Sequence, residues 1–287
     1  MPKKIFSGHE SFNCRPLWLK KGYDFTKSGN SFSDASSVVQ LGVGKNMVSS
    51  IYFWMHSFGL IDISGSLTAL ADFLFGEKGK DPYLENPASL WLLQYNLIKT
   101  QRASLYSIFF NNFRRERIEF TKDQIKHFVK RQCGQENISI NEKTLKKDID
   151  VFLKTYLKPQ RAKKNFEDEY SGLFIDLKLI NRLEITERDN QTFSINIGKH
   201  EDIPSEIILF LLLEQFEDKK SISFSNIMYN DNSPGICFAL NEEGLTNHIL
   251  SLTKKYKITL TEDAGIKELQ MNEKIDKWKV LKNCYEK

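Results

Sequence analysis

The sequence predicts a mainly α-helical α+β protein, with tandem winged helix-turn-helix units bearing small β-hairpin wings and an α/β C-terminal region. Three observations predict it. Residues 33–62 place two amphipathic segments on either side of a glycine turn and run into a hairpin. Residues 121–157 repeat that theme behind a helix-capping signature, and residues 177–197 alternate like a second hairpin. The expected domains are 1–80, a winged helix-turn-helix; 81–200, a basic helical winged-helix-like domain; and 201–287, an acidic α+β docking domain.

A helix is expected around Pro16–Gly22, with proline suited to its first turn and glycine to its end. Asp34–Leu41 reads as a short helix broken by Gly42, and Val43 points inward from the turn. A second helix starts at Gly44–Lys45 and carries Met47, Val48, Ile51, Met55 and Phe58 at three- and four-residue steps, so one face is apolar. Gly59 ends it. Leu60–Ile63 alternates as a strand does, and Ser64-Gly65-Ser66 supplies the turn of the wing. This leaves Lys45, Asn46, Ser49, Ser50 and Phe53 on the outer face of the second helix. Short polar side chains near a helix N-terminus are what a major groove accepts. Such helix pairs also occur in folds that never meet nucleic acid, and winged helices also dock proteins, so that alternative stays open.

After the wing, Leu67–Phe75 leads into a short helix that stops at Gly76, and residues 76–82 form a loop. A long helix is expected from Pro87 to about Phe110, with Leu90, Leu93, Leu97, Leu105 and Phe109 in the core. Thr121-Lys-Asp-Gln124 is a capping box for a helix from Lys122 to about Gln132. Gly134–Ile140 is a linker, and Asn141 caps a helix over Glu142–Leu157. That helix carries Leu145, Ile149, Phe152, Leu153 and Tyr156 inward and Lys143, Lys146, Lys147 and Lys154 outward. Basic residues continue through Lys158, Arg161, Lys163 and Lys164. Leu177–Ile185 and Thr192–Ile197 read as strands around a turn at Glu187–Gln191. Further on, helices are expected at Pro204–Phe216, Glu242–Tyr256 and Glu273–Tyr285, with a loop at Asp231–Gly235 and a strand at Lys257–Thr261.

Charge is unevenly distributed along the 287 residues. Residues 1–98 hold 9 basic and 8 acidic side chains, residues 99–164 hold 17 and 7, and residues 165–287 hold 15 and 22. Such separation marks a face for polyanions, although lysines also coat solvated helices. No apolar run reaches the roughly 18 residues of a membrane span, and no apolar signal region follows the first charges. Cys14, Cys133, Cys237 and Cys284 are far apart and lack a CxxC pairing, which fits reduced thiols in a cytoplasm.

Nothing nominates a catalytic centre, a metal site or a cofactor. His9, Glu10 and Cys14 lack the spacing and the third ligand of a metal helix. Gly42-Val-Gly-Lys45 has Val39 where a phosphate loop needs its first glycine, and Asn46 where it needs serine or threonine. The amides of Gly44 and Lys45 could still hold one DNA phosphate. The acid pair Asp148–Asp150 falls on a helix, with Asp148 expected toward solvent or a lysine, and Glu167–Glu169 has no third partner.

Phe6-Ser-Gly-His-Glu-Ser-Phe12, Arg15, Trp18-Leu-Lys-Lys-Gly-Tyr23, Leu41-Gly-Val-Gly-Lys-Asn-Met-Val48 and Gly59-Leu-Ile61 together resemble the bacterial family called domain of unknown function 4007. Asp81–Pro87, Leu90–Leu93, Asp148–Leu153 and Ala264–Ile266 extend the resemblance over most of the chain. The resemblance implies no settled activity. It implies gene neighbourhoods with sulfurtransferase-like proteins, cysteine desulfurases and ATPases, of the kind found in DNA phosphorothioation or other anti-phage defence.

The expected protein is therefore a non-catalytic, cytoplasmic DNA-binding accessory or recognition subunit of a defence or DNA-modification system. Lys45 would meet a phosphate, with Asn46, Ser49, Ser50 and Phe53 near base edges. Lys143, Lys146, Lys147, Arg161, Lys163 and Lys164 would meet the backbone of double-stranded DNA. A sulfurtransferase-like or ATPase defence protein, or a second copy in a homodimer, are further partner expectations. The alternatives are a protein adaptor in a defence complex and a transcriptional repressor of the defence operon. The target sequence, any preference for modified DNA and the role of His9-Glu10 stay open.

Overall fold

Pro16 opens the first helix, α1 (Pro16–Lys27), which runs past Gly22 where the sequence suggests an end. Gly22 serves close packing instead: a Cβ there would stand 2.8 Å from the Met55 Cγ and 2.9 Å from its Sδ. Next come α2 (Ser37–Leu41) and α3 (Lys45–Ser57), joined by Gly42 at φ 62°. The Val43 amide donates to the Val38 carbonyl at 3.2 Å and closes the turn. Phe25, Leu41 and Val48 form the small core of this helix-turn-helix, with Phe32, Val38 and Val43 packed against it. The strand expected after α3 is reduced to one antiparallel bridge, Ile61 to Leu67. Between them the Asp62 carboxylate accepts from the Ser64 and Ser66 amides at 2.8 and 3.1 Å, which commits the backbone to a tight loop rather than a ladder.

The structure is a computed structural model that describes residues 4–159, 172–183, 191–217 and 219–286. The chain divides into two units, residues 1–85 with 96–195, and residues 86–95 with 196–287. In the first unit α4 (Ala69–Phe75) follows the hairpin and is capped by Thr68. The single helix expected over residues 87–110 is two: α5 (Pro87–Lys99), which spans the division between units, and α6 (Ser104–Ile108). The break is tertiary in origin. The Thr100 hydroxyl donates to the Ser57 carbonyl at 2.7 Å, Gln101 adopts φ 56°, and the Ser104 hydroxyl accepts the Ile5 amide at 2.8 Å. Beyond α6 the chain winds one π-helical turn, Phe109–Phe113, into α7 (Arg114–Glu116).

The remainder of this unit is β1 (Glu119–Thr121), α8 (Lys122–Gln135), α9 (Glu142–Tyr156), β2 (Ile180–Arg182) and β3 (Thr192–Ile195). The strands form an antiparallel sheet in the order β1-β3-β2, with Phe120 opposite Phe193 and Asn181 opposite Ser194. Most of the expected turn at Glu187–Gln191 falls outside the described residues. Gly134 lies inside α8, not in a linker. Both halves of the capping box are formed: the Thr121 hydroxyl accepts the Gln124 amide at 3.3 Å, and the Gln124 side chain accepts the Thr121 amide at 2.8 Å. Thr121→Ala is expected to lower stability by about 1 kcal/mol, read as a shifted urea midpoint at unchanged slope. An unchanged midpoint would show that the cap contributes nothing.

The second unit contains α10 (Ser205–Gln215), β4 (Ser221–Ser223), α11 (Phe224–Tyr229), α12 (Pro234–Cys237), α13 (Glu242–Thr253), β5 (Ile258–Asp263), β6 (Ile266–Met271) and α14 (Lys277–Asn283). Its sheet has the order β4-β6-β5 and is antiparallel. β5 and β6 join through Ala264 and Gly265 at φ 48° and 80°. Strands β4 and β6 were not expected, and the last helix is shorter than its sequence suggests. Among the described residues no helix is long and apolar enough to cross a membrane. All four cysteines are buried and none is in a disulfide.

Candidate nucleic-acid interface

Helix α3 presents a narrower polar face than its sequence suggests. Lys45, Asn46 and Ser49 are exposed on its first two turns, and the Ser49 hydroxyl back-bonds to the Lys45 carbonyl. Tyr52 continues this face, tilted against Phe32 and edge-on to His56 at ring distances of 5.1 and 4.6 Å. Ser50 and Phe53 are corrections: both are buried, at 0% and 7% exposure, and neither is open to a groove in this fold. The burial of Phe53 comes from upstream sequence. Gly8 crosses Phe53 so closely that a Cβ on it would stand 2.3 Å from the Phe53 Cδ2, so a side chain there would displace the ring.

That crossing belongs to a strap over residues 4–12, which accounts for His9. The imidazole stacks on Trp54 at 6.0 Å and meets Phe53 edge-on at 5.9 Å. Its Nδ1 accepts the Ser11 amide at 3.1 Å, which leaves the proton on Nε2 to donate to Asp148 Oδ1, also at 3.1 Å. The Asp148 carboxylate further accepts the Ser7 amide at 2.9 and 3.1 Å. Asp148 is thus a second correction: it is 4% exposed and pins the strap, rather than facing solvent. Trp54 Nε1 donates to the Phe12 carbonyl at 3.1 Å, and Lys4 pairs with Glu136. Ser7, Glu10 and Ser11 adopt φ of 66°, 49° and 68° to make these bonds. The histidine signature therefore ties α3 to α9. The position of Asp148, three residues after Leu145 and four before Phe152, already lay on the buried stripe of α9, which was the signal for a partnered acid.

The outer face of α9 is as the sequence suggests. Asn141 caps it, accepting the Lys143 and Thr144 amides at 2.8 and 3.3 Å. Lys143, Lys146, Lys147 and Lys154 are exposed and have no ion pair with a described residue. The lysines of α8 differ. Lys126 and Lys130 are bound to Glu142 at 3.3 and 2.7 Å, and Lys122 to Asp150 at 2.5 Å. Lys126, Asp123, Glu142 and Lys146 line a groove of about 480 Å³ with Thr121 and Gln191. Arg161, Lys163, Lys164 and the Glu167–Glu169 pair lie outside the described residues. Among the described residues no three His, Cys, Asp or Glu side chains converge as a metal site would require.

At the far end of α3, burial and then the nearby Arg102 push the His56 imidazole down to a pKa of about 4. The unfolded chain protonates this group near its ordinary value, so the stability it preserves is intact above pH about 6.5 and is lost as pH falls toward 4. Stability is expected to drop by on the order of 2 kcal/mol across that window, and His56→Gln should flatten the decline. Urea titrations at four pH values read this directly, and parallel curves for the two proteins would refute it.

A helix-turn-helix with an exposed polar first turn, a lysine-faced helix and two small antiparallel sheets define a mainly helical α+β protein. The family described as "Protein of unknown function (DUF4007)" matches residues 6–285, and the chain belongs to it. No curated protein matches. Two solved structures are similar in fold: "Magnesium ion-bound SspB crystal structure", 25% identical, and "SspB crystal structure", 26% identical. Each has a TM-score of 0.85, and the match covers 99% of this chain and 88% of the other.

Proposed function

We propose that this protein is a non-catalytic DNA-binding accessory or recognition subunit of a bacterial DNA-modification or anti-phage defence system, built from winged-helix units. The exposed first turn of α3, with Lys45, Asn46 and Ser49 following a left-handed Gly42 turn, carries the reading. The topology supports it. A strand, helices and then two strands, with sheet order first-third-second, occur at β1–β3 with two helices after the first strand and at β4–β6 with three, a pattern similar to that of a winged helix. The uncompensated lysines of α9 supply sequence-independent backbone affinity. Membership of the family and likeness to the SspB structures support a place in phosphorothioation-type defence.

The test is fluorescence anisotropy of the whole chain on a labelled duplex across a salt series. Lys143→Ala, Lys146→Ala and Lys147→Ala combined should lower the slope of log affinity against log salt by roughly 0.9 per lost phosphate contact. Lys45→Ala with Asn46→Ala should weaken binding by about tenfold, or some 1–2 kcal/mol. Affinity that ignores both sets of changes would favour the protein adaptor. Protection of the chain's own promoter in a footprint would favour the repressor.

A second reading has one specific support: one of the similar structures holds magnesium. An enzyme that cleaves or modifies DNA in the presence of a divalent metal is the competing reading. Supercoiled plasmid incubated with the protein, with and without magnesium, decides it. Metal-dependent conversion to open circles would replace the accessory role.

A further inference from the structure

The C-terminal region is acidic as a sequence, with 22 acidic and 15 basic side chains over residues 165–287, yet five of its lysines share one groove. The groove, about 610 Å³, is lined by Lys254, Lys255, Lys257, Lys274 and Lys279, against only two acids, Glu273 and Asp276. Those acids are already engaged. Glu273 pairs with Lys257 at 3.0 Å, and Asp276 caps α14 by accepting the Trp278 and Lys279 amides at 2.7 and 3.2 Å. Lys255 is held by the buried Glu206 at 2.7 Å. Lys254, Lys274 and Lys279 remain exposed, with no ion pair to a described residue.

Helix chemistry explains only part of this. Lys254 caps the C-terminal end of α13, where the helix dipole favours a cation. Lys279 sits in the first turn of α14, where the dipole disfavours one. Three like charges that face one cleft and repel one another are stabilised by a shared anion. The lining also selects the kind of anion. Protein interfaces centre on aromatic and arginine anchors and are depleted of lysine, whereas lysine serves phosphate as a point charge. Asn283 and Tyr256 also line the groove, where the Asn283 side chain donates to the Tyr256 hydroxyl at 2.9 Å, so polar side chains stand beside Ile275 and Val280.

We propose that this groove is a second DNA-backbone site, in which Lys254, Lys274 and Lys279 hold consecutive phosphates of the duplex. It lies where β5 begins and β6 ends, at the opposite end of the hairpin from the Ala264–Gly265 turn, so it is separate from any contact made by a wing tip. The inference rests on the DNA-binding reading above but concerns residues that reading does not use.

Lysine acetylation footprinting of the whole chain, with and without a 30-base-pair duplex at low salt, tests it residue by residue. Lys254, Lys274 and Lys279 should be protected several-fold, while exposed Lys78 is labelled equally in both samples. The combined Lys254→Ala, Lys274→Ala and Lys279→Ala variant should lose up to roughly 2.7 from the salt slope. Protection of Lys143, Lys146 and Lys147 without the groove lysines overturns this inference and leaves the first reading standing. Protection of the groove alone supports the inference and overturns the role given to α9. Protection of neither set overturns both.

Discussion

Asp148→Ala is expected to destabilise the first unit by about 3–5 kcal/mol, because it strands a buried imidazole N–H and a backbone N–H together. Both Asp148 and His9 are nearly inaccessible, so water cannot replace the lost acceptor. The Ser7 amide loses its acceptor in the same step. Asp148→Asn keeps one carbonyl oxygen and should lose about half as much. Urea unfolding measures the loss. Limited proteolysis adds a local signature, since a released strap should be cut before Phe12 well below the global transition. A variant within 0.5 kcal/mol of the parent, with an uncut strap, would show that His9 and Asp148 do not hold α3 to α9.

Phe109→Ala should cost about 3–5 kcal/mol by cavity formation. Phe109 is fully buried and meets Phe110, Phe113, Phe120 and Phe152 at ring distances of 5.3, 5.3, 5.1 and 4.5 Å. It joins the π-helical turn to β1 and α9, and four rings cannot all collapse into the vacated volume. Phe109→Leu should retain more than half of the stability lost in the alanine variant, because most of the apolar volume stays. Calorimetry of the two variants reads the difference as a lower transition temperature. Equal losses would point to lost ring stacking rather than volume.

Those helices of this architecture that carry caps or a clear period were legible because their signals are local. Thr121 and Gln124 satisfy each other's amides over one turn, so the capping box could be read before any tertiary contact was known. Gly42 likewise marks its turn by a backbone conformation that glycine reaches without strain. Strand β6 was hidden. Ile266-Lys-Glu-Leu-Gln-Met271 consists largely of good helix formers, and its strand state comes from pairing on both sides with β4 and β5. Three-residue strands such as β4 carry almost no period to detect.

The candidate site divides along the same line. Periodicity alone placed Lys45, Asn46, Ser49 and the α9 lysines outward, since 3.6 residues per turn fixes which side chains share a face. Tertiary structure decided the rest. Phe53 and Ser50 sit on the flank of α3, where exposure depends on what crosses them, and the strap carrying Gly8 and His9 crosses Phe53 from forty-odd residues upstream. The lysines at 254, 274 and 279 are far apart in an acidic stretch and share a groove only because β5, β6 and α14 fold back on one another. Covalent neighbours and helix pitch act within a few residues, whereas burial and summed charge are properties of surfaces that the chain assembles from distant segments.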